Sequence, residues 1–157
     1  MPPDDSAVKK VRLITDGSAI GNPGPGGWAV ILRYGERKRE LFGCSPHTTN
    51  NRMELTAAIE GLRALKEPCE VEIITDSEYL KNGITQWIHA WKRKGWMTSG
   101  RQPVKNSDLW QLLDDEVSRH VTHWSWTRGH ALHDDNNRAD ELANAAAREQ
   151  RSGVHCE

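Results

Sequence analysis

Two segments of the chain end in nearly the same residues, and this repetition constrains the fold more than any other feature. VRLITDGS puts Asp16 at the end of one apolar run, and VEIITDSE puts Asp76 at the end of another. In open α/β sheets, ligands gather beyond the carboxyl ends of the strands. If the two runs form adjacent parallel strands, both carboxylates should face one crevice. The alternative for each residue alone is structural, with Asp16 as a turn residue before Gly17 and Asp76 as a helix cap before Ser77.

The length and composition indicate one globular domain. A chain of 157 residues can bury a core without disulfides or structural metals. No segment approaches the roughly 20 apolar residues of a membrane span, and the first residues lack the apolar segment of a secretion signal. We therefore expect a cytoplasmic protein that makes no use of a membrane. Cys44, Cys69 and Cys156 are odd in number and far apart, which indicates neither a disulfide framework nor a zinc ribbon.

The hydrophobic pattern predicts the element order βββαβ(ααα)βα. Strands are expected at 8–15, 27–34, about 36–44, 70–75 and 120–127. A turn-forming stretch at 17–26 separates the first two strands. The clearest helix covers 49–66, because Leu55, Ile59 and Leu62 share one face. Short helical pieces should follow the fourth strand, with an exposed loop at 95–106 and further helices at about 106–118 and 136–148.

This order predicts an α/β fold with a mixed five-stranded sheet, in which three antiparallel strands precede two parallel ones and helices cover both faces. The domain should span 8–148, between a flexible extension at 1–7 and a frayed tail at 149–157. Nothing in the sequence argues for an oligomer, so we expect a monomer.

Residues 79–107 form a basic segment in a chain whose net charge is −1, with six Lys or Arg and no Asp or Glu. Such a segment is expected of a surface that contacts phosphates, although solvated charged surfaces are common. Trp87 and Trp91 precede Lys92, Arg93 and Lys94 within it. A pair of aromatic residues four apart on a helix usually packs in the core.

Two further acids could join Asp16 and Asp76. Glu54 lies in the first turns of the 49–66 helix, off its apolar face, and Asp140 lies near the start of the last helix. Each alone could be an ordinary partner of the helix dipole. Four acids grouped without four basic partners would repel one another unless cations lay between them. Oxygen ligands suit Mg²⁺ or Mn²⁺, and two such ions about 4 Å apart are used for in-line attack on phosphodiesters.

Six segments, taken in order and spacing, closely resemble bacterial type 1 ribonuclease H over about residues 8 to 147. They are TDGS at 15–18, GNPGPGG at 21–27, TTNNRMEL at 48–55, TDS at 75–77, WTRGH at 126–130 and NNRADELA at 136–143. The resemblance implies a ribonuclease H-like fold and two Mg²⁺ ions per active site with substrate, which Mn²⁺ can replace. It also implies endonucleolytic cleavage of the RNA strand of RNA/DNA hybrids, leaving 5′-phosphate and 3′-hydroxyl ends.

The resemblance assigns roles by matching position. The metal ligands are Asp16, Glu54, Asp76 and Asp140, with Asp16 bridging both ions. His130 matches a residue that assists proton transfer or product release, although a loop histidine is more often an ordinary surface residue. A zinc site at His130 and His133 is disfavoured, because no Cys or third His stands at a matching spacing.

The resemblance also assigns the contacts to each strand of the hybrid. A phosphate of the DNA strand would be bound by Asn22, Thr49 and Arg52. The basic handle loop, which would contact the DNA backbone, would include Trp87, Lys92, Arg93 and Lys94. The RNA strand and minor groove would contact Gly17, Asn50, Asn51 and Glu78. The residue types suit these tasks, because Arg binds oxyanions well and the 2′-hydroxyl distinguishes RNA from DNA. Thr49 and the neighbouring asparagines could also cap a helix. Trp91, Trp110, Trp124 and Trp126 are assigned to packing.

The chain departs from the family pattern at two places. Glu78 stands where bacterial members commonly have Gln, and a carboxylate cannot donate the hydrogen bond that an amide can. The far arm of the handle, at 97–102, has Arg101 as its one basic residue, so the affinity for the hybrid should be weaker.

Two other functions compete with this hypothesis. One is a metal-dependent nuclease or strand-transferase of the same fold that acts on DNA, against which TTNNRMEL and the basic segment argue. The other is a hybrid-binding module without catalysis, which would lack one of the four acids, and none is missing.

Overall fold

A five-stranded sheet carries helices on both faces in the computed structural model, which describes residues 8–126 and 133–151. The strands are β1 (Lys9–Ala19), β2 (Gly24–Tyr34), β3 (Arg37–Thr48), β4 (Cys69–Thr75) and β5 (Val121–Trp126). The helices are α1 (Asn50–Arg63), α2 (Glu78–Asn82), α3 (Ile88–Arg93), α4 (Ser107–Val117) and α5 (His133–Arg151). A π-helical turn, Gly83–Trp87, joins α2 to α3.

The strand order is β3-β2-β1-β4-β5. The β1–β2 and β2–β3 pairs are antiparallel, whereas β1–β4 and β4–β5 are parallel. The predicted mixed sheet, with three antiparallel strands followed by two parallel ones, is therefore confirmed.

Each face of the sheet has its own core, because successive side chains of a strand point to opposite sides. Leu13 points towards α1 and α4, where the predicted apolar face of α1 is buried. Ile14 points the other way, towards Ala139 and Ala143 of α5. Helices on both faces were predicted, and the two cores confirm them.

The turn between β1 and β2 is shorter than the glycine pattern predicts. β1 continues through Ala19 and β2 begins at Gly24, so most of the 17–26 stretch is strand. The glycines here allow close approach rather than a long turn: a Cβ at Gly26 would lie 2.8 Å from the Ser18 carbonyl oxygen, and one at Gly27 would lie 2.7 Å from the Ala147 nitrogen. Asp16 therefore lies inside β1 rather than at its end.

Other boundaries also differ from the expected ones. β3 extends to Thr48, and α5 runs from His133 to Arg151, so residues 149–151, expected in the frayed tail, are helical. α5 packs across β1, β2 and β3, and these contacts stabilise a helix longer than its apolar pattern predicts. Among the described residues, no helix is both long and apolar enough to cross a membrane.

The cysteines differ from expectation at one position. Cys69 is a buried free thiol, whereas Cys44 is disulfide-bonded. Cysteines that stand far apart in the sequence leave no local spacing pattern from which a pairing could be predicted.

Candidate active site

The register of the parallel strands brings the two repeated Ile-Thr-Asp sequences to the same level of the sheet. Ile14 of β1 is paired with Ile74 of β4, so Asp16 and Asp76 follow at equivalent positions. The indole Nε1 of Trp126, the last residue of β5, donates to the Asp76 carbonyl oxygen at 3.2 Å. This hydrogen bond tethers the backbone of Asp76 to the neighbouring strand, a contact that the packing assignment of Trp126 did not include.

Gly17 brings helix α1 against β1. Its backbone N–H donates both to Asp16 Oδ1 and to Glu54 Oε1, each at 2.9 Å. A Cβ at this position would lie 2.5 Å from the Met53 carbonyl carbon, closer than real Cβ contacts allow. The absence of a side chain at Gly17 therefore lets Glu54 approach Asp16.

Three of the four predicted acids form one cluster. The ligand oxygens of Asp16, Glu54 and Asp76 all lie within 4.8 Å of one another. Asp16 and Glu54 are buried, whereas Asp76 is exposed. Asp140, on α5, is exposed and is not part of this trio, but its side chain is hydrogen-bonded to Asp16 and its charge acts on both Asp16 and Asp76.

The electrostatics of the cluster favour a positive partner. Burial, followed by the charge of Asp76, raises the pKa of Asp16 to about 7. Burial and the charge of Asp16 raise the pKa of Glu54 well above its usual range, and burial, with the charge of Asp140, raises the pKa of Asp76. The cluster without a cation therefore tends to bind protons.

The donor set fits a divalent metal ion. Glu54 Oε2 is buried and has no hydrogen-bond partner within the described part of the chain. An unpaired buried carboxylate oxygen is costly, and a hard cation is the partner that would satisfy it. Every ligand that the cluster offers is a carboxylate oxygen, which suits divalent cations of this kind.

Hydrogen bonds around the first turn of α1 hold several residues that were predicted to contact the substrate. Thr49 caps the helix, because its hydroxyl accepts from the Arg52 N–H at 3.2 Å. Asn22 Oδ1 accepts from the Asn50 N–H at 2.9 Å, and Asn50 Oδ1 accepts from the Ala19 N–H at 2.6 Å. These bonds tie the β1–β2 turn to α1, and the helix-capping alternative for Thr49 is confirmed. Asn51, in the same turn, is exposed.

Arg52 has two hydrogen-bond partners that the sequence did not predict. Asp108 accepts from both terminal nitrogens, at 3.0 Å from Nη1 and 2.7 Å from Nη2. Asn106 Oδ1 accepts from Nη1 at 3.2 Å, and Asn106 has a left-handed backbone with φ of 61°. The one available signal was Asn106 at the predicted start of α4, because Asn adopts this conformation more readily than most residues.

The basic handle projects from α3. Lys92, Arg93 and Lys94 are all exposed, with Lys92 Nζ 3.2 Å from Asp114. Trp87 is 39% exposed, whereas Trp91 packs against the buried Trp110 with ring centroids 5.2 Å apart. The packing assignment of Trp91 is confirmed.

Glu78 is exposed and is the first residue of α2, where Ser77 caps the helix and an acid interacts favourably with the helix dipole. His130 lies outside the described residues.

The similarity to known proteins extends over the whole domain. Residues 8–148 match the family model for RNase H. A ribonuclease H from Solibacter usitatus (strain Ellin6076) is 68% identical over 143 residues, covering 91% of this chain and 98% of that protein. A ribonuclease HI from Neisseria meningitidis serogroup B is 60% identical over 137 residues, covering 87% of this chain and 94% of that protein.

Solved structures share the fold. LC9-RNase H1, a type 1 RNase H with the type 2 active-site motif, superposes with a TM-score of 0.81 at 37% identity, covering 91% of this chain and 74% of that one. LC11-RNase H1, solved in complex with an RNA/DNA hybrid, gives a TM-score of 0.62 at 26% identity, covering 88% of this chain and 97% of that one. The family model, the sequence identity and the shared fold all agree that the chain belongs to the ribonuclease H family.

Proposed function

We propose that this protein is an endoribonuclease that hydrolyses the RNA strand of RNA/DNA hybrids, leaving 5′-phosphate and 3′-hydroxyl ends. One observation carries the proposal: in a chain of the ribonuclease H family, Asp16, Glu54 and Asp76 form a single cluster of carboxylates. The complex of LC11-RNase H1 with an RNA/DNA hybrid supports the choice of substrate.

The cluster would hold divalent metal ions, and we infer that these are two Mg²⁺ ions when substrate is bound, with Mn²⁺ able to substitute. Bound metal ions of this kind activate the attacking water and stabilise the leaving 3′ oxygen. Asp16, Glu54, Asp76 and Asp140 would provide the ligands. Asp16 and Glu54 are buried, so a bound cation would compensate charges that water hydrates poorly. In this proposal no side chain acts as a nucleophile.

His130 would assist proton transfer or product release. Because this role supports the metal ligands rather than replacing them, loss of His130 should slow turnover less than loss of Asp16.

The hybrid would be held through both strands. Arg52, with Thr49 and Asn22, would bind a phosphate of the DNA strand, and Trp87 would lie against a DNA sugar beside Lys92, Arg93 and Lys94. Gly17, Asn50, Asn51 and Glu78 would face the minor groove and the RNA strand. The exposure of Trp87 and of the three basic side chains supports this arrangement. We infer a weaker contact at Glu78 than an amide would make, because a carboxylate cannot donate a hydrogen bond.

The direct test follows one labelled strand in each of four substrates with Mg²⁺ present. The RNA is supplied alone, annealed to DNA and annealed to RNA, and duplex DNA of the same sequence is supplied separately. The proposal expects loss of label only from the RNA/DNA hybrid, with 5′-phosphate and 3′-hydroxyl ends on the products and no reaction in EDTA. Equal cleavage of duplex DNA would instead indicate a DNA nuclease of the same fold.

We further propose that the protein acts in the cytoplasm as a monomer. Sedimentation equilibrium should give the mass of one chain, and cell fractionation should recover the protein with the cytoplasmic markers.

A further inference from the structure

The hydroxyl of Tyr79 lies at the centre of a hydrogen-bonded chain. It accepts from Trp110 Nε1 at 3.0 Å and from Asn106 Nδ2 at 3.1 Å. Trp110 is fully buried, and a Cβ at Gly83 would lie 2.5 Å from its Cζ2. The indole therefore has little freedom to move, and it fixes the Tyr79 hydroxyl from the core side.

The chain continues from Asn106 to Arg52. The amide of Asn106 donates to Tyr79 through Nδ2 and accepts from Arg52 Nη1 through Oδ1, so the Tyr79 contact determines which way this amide faces. Asp108 binds the end of the guanidinium through Nη1 and Nη2. Among the described residues, the adjacent edge of the guanidinium, formed by Nε–H and the second Nη2 hydrogen, has no partner. Two parallel N–H groups are the arrangement with which Arg binds a phosphate in bidentate fashion.

The ring of Tyr79 supports a second residue of the same surface. It meets Trp87 edge to face, with centroids 6.0 Å apart and an interplanar angle of 63°. It also packs against Trp110, with centroids 5.4 Å apart. One side chain thus contacts both the exposed Trp87 and, through Asn106, the guanidinium of Arg52.

We propose that Tyr79 is a positioning residue whose hydroxyl fixes Asn106, and through it the Arg52 guanidinium, for a phosphate of the DNA strand. This inference rests on the proposed function, because it requires Arg52 to contact that phosphate. The hydrogen bonds of the Tyr79 hydroxyl lead to Trp110 and, through Asn106, to Arg52, so this hydroxyl should affect substrate binding rather than the chemical step.

The first experiment removes the hydroxyl alone. Tyr79→Phe keeps the ring contacts with Trp87 and Trp110, and Tyr34→Phe makes the same change at an exposed tyrosine at the end of β2. With Mg²⁺ present, Tyr79→Phe should raise KM for the hybrid about fivefold with kcat nearly unchanged, the effect expected for one hydrogen bond. Tyr34→Phe should match the wild type. An unchanged KM, or a fall in kcat alone, would overturn the proposal.

The second experiment asks whether the effect passes through Arg52. The double variant Tyr79→Phe/Arg52→Gln should have the same KM as Arg52→Gln alone, because the two changes disrupt one contact. If the two substitutions raised KM by independent factors that multiply in the double variant, the proposal would be overturned. This comparison stays informative even if the single variants lose some stability, since additivity is judged among the variants themselves.

The third experiment locates the phosphate, using hybrids that carry one neutral methylphosphonate linkage at each position of the DNA strand in turn. The linkage that raises KM for the wild type but not for Arg52→Gln identifies the phosphate bound by Arg52. On that hybrid Tyr79→Phe and wild type should have equal KM values, whereas the fivefold difference should persist on the others. A purely structural role would give the same difference on every hybrid and would contradict the proposal. Failure of the wild type to cleave any hybrid would refute the proposed function instead.

Discussion

The buried carboxyl of Asp16 links the stability of the metal-free protein to pH. Burial and the charge of Asp76 raise its pKa to about 7, whereas an unfolded chain has an Asp pKa of about 3.9. Between these values the native state holds a proton that the unfolded chain has released. The contribution of Asp16 to the stability of the native state is therefore fully present below about pH 4 and is lost as the pH rises through about 7.

Replacing the Asp16 carboxyl should remove its contribution to the pH dependence of stability. In EDTA at pH 8, we expect Asp16→Asn to raise the free energy of unfolding by on the order of 1–3 kcal/mol, with a smaller gain at pH 5. Urea denaturation of both proteins at the two pH values measures this difference. The pKa of His120 is lowered by burial and by Arg119, so His120 makes stability rise with pH, the reverse of Asp16. Because both proteins contain His120, its contribution cancels when the variant is compared with the wild type. A variant less stable than the wild type at pH 8 would contradict the account.

At the level of single residues, the sequence predicts what a local pattern determines. Asp16 and Asp76 were predicted to face one crevice because the repeated Ile-Thr-Asp sequences suit equivalent positions on parallel strands. Asp108 and Asn106 were missed as partners of Arg52, because a pair of residues more than 50 positions apart leaves no spacing pattern.

The packing of α1 on β1 depends on the lack of a side chain at Gly17. We expect Gly17→Ala to push the helix away and to destabilise the protein by about 1–3 kcal/mol, as overpacking usually does. Because Glu54 would move with the helix, kcat should fall by about 10²-fold, the scale of loss that a displacement of about 1 Å can cause.

Gly100→Ala is the matched control, because among the described residues a Cβ there would have the Thr98 hydroxyl oxygen as its nearest neighbour, at 3.9 Å. Steady-state kinetics and urea denaturation of the two variants make the comparison. Equal activity of Gly17→Ala and Gly100→Ala would show that the approach of α1 does not depend on Gly17.

At the level of elements, the order of strands and helices was predictable, but some boundaries were not. Glycine favours turns in general, so the 17–26 stretch was predicted as a turn. The structure uses Gly17, Gly26 and Gly27 for close contacts with α1, β1 and α5, which are known only once these elements pack together.

Across the whole molecule, the proposed function depends on two surfaces of opposite charge. Carboxylates gather at the proposed metal site, and exposed basic side chains gather on the handle. Neutralising Lys92, Arg93 and Lys94 to Gln should raise KM for the hybrid and flatten its salt dependence. The slope of log KM against log salt should fall by up to about 2–3, because each lost phosphate contact removes just under one unit.

The control removes the same charge elsewhere. Arg37, Lys38 and Arg39 of β3 are also exposed, and changing them to Gln alters the net charge equally. KM for both triple variants, measured between 50 and 200 mM KCl (about the range over which such contacts are resolved), separates a local contact from a general charge effect. Equal slopes would mean that the DNA strand follows another path.

The most direct test of the central claim compares hybrid cleavage and hybrid binding by the wild type and Asp16→Asn with Mg²⁺ present. If the carboxylate cluster holds the catalytic metal ions, the variant should bind the RNA/DNA hybrid with nearly wild-type affinity and yield no cleaved RNA. Cleavage by the variant at the wild-type rate would show that the cluster does not carry the reaction.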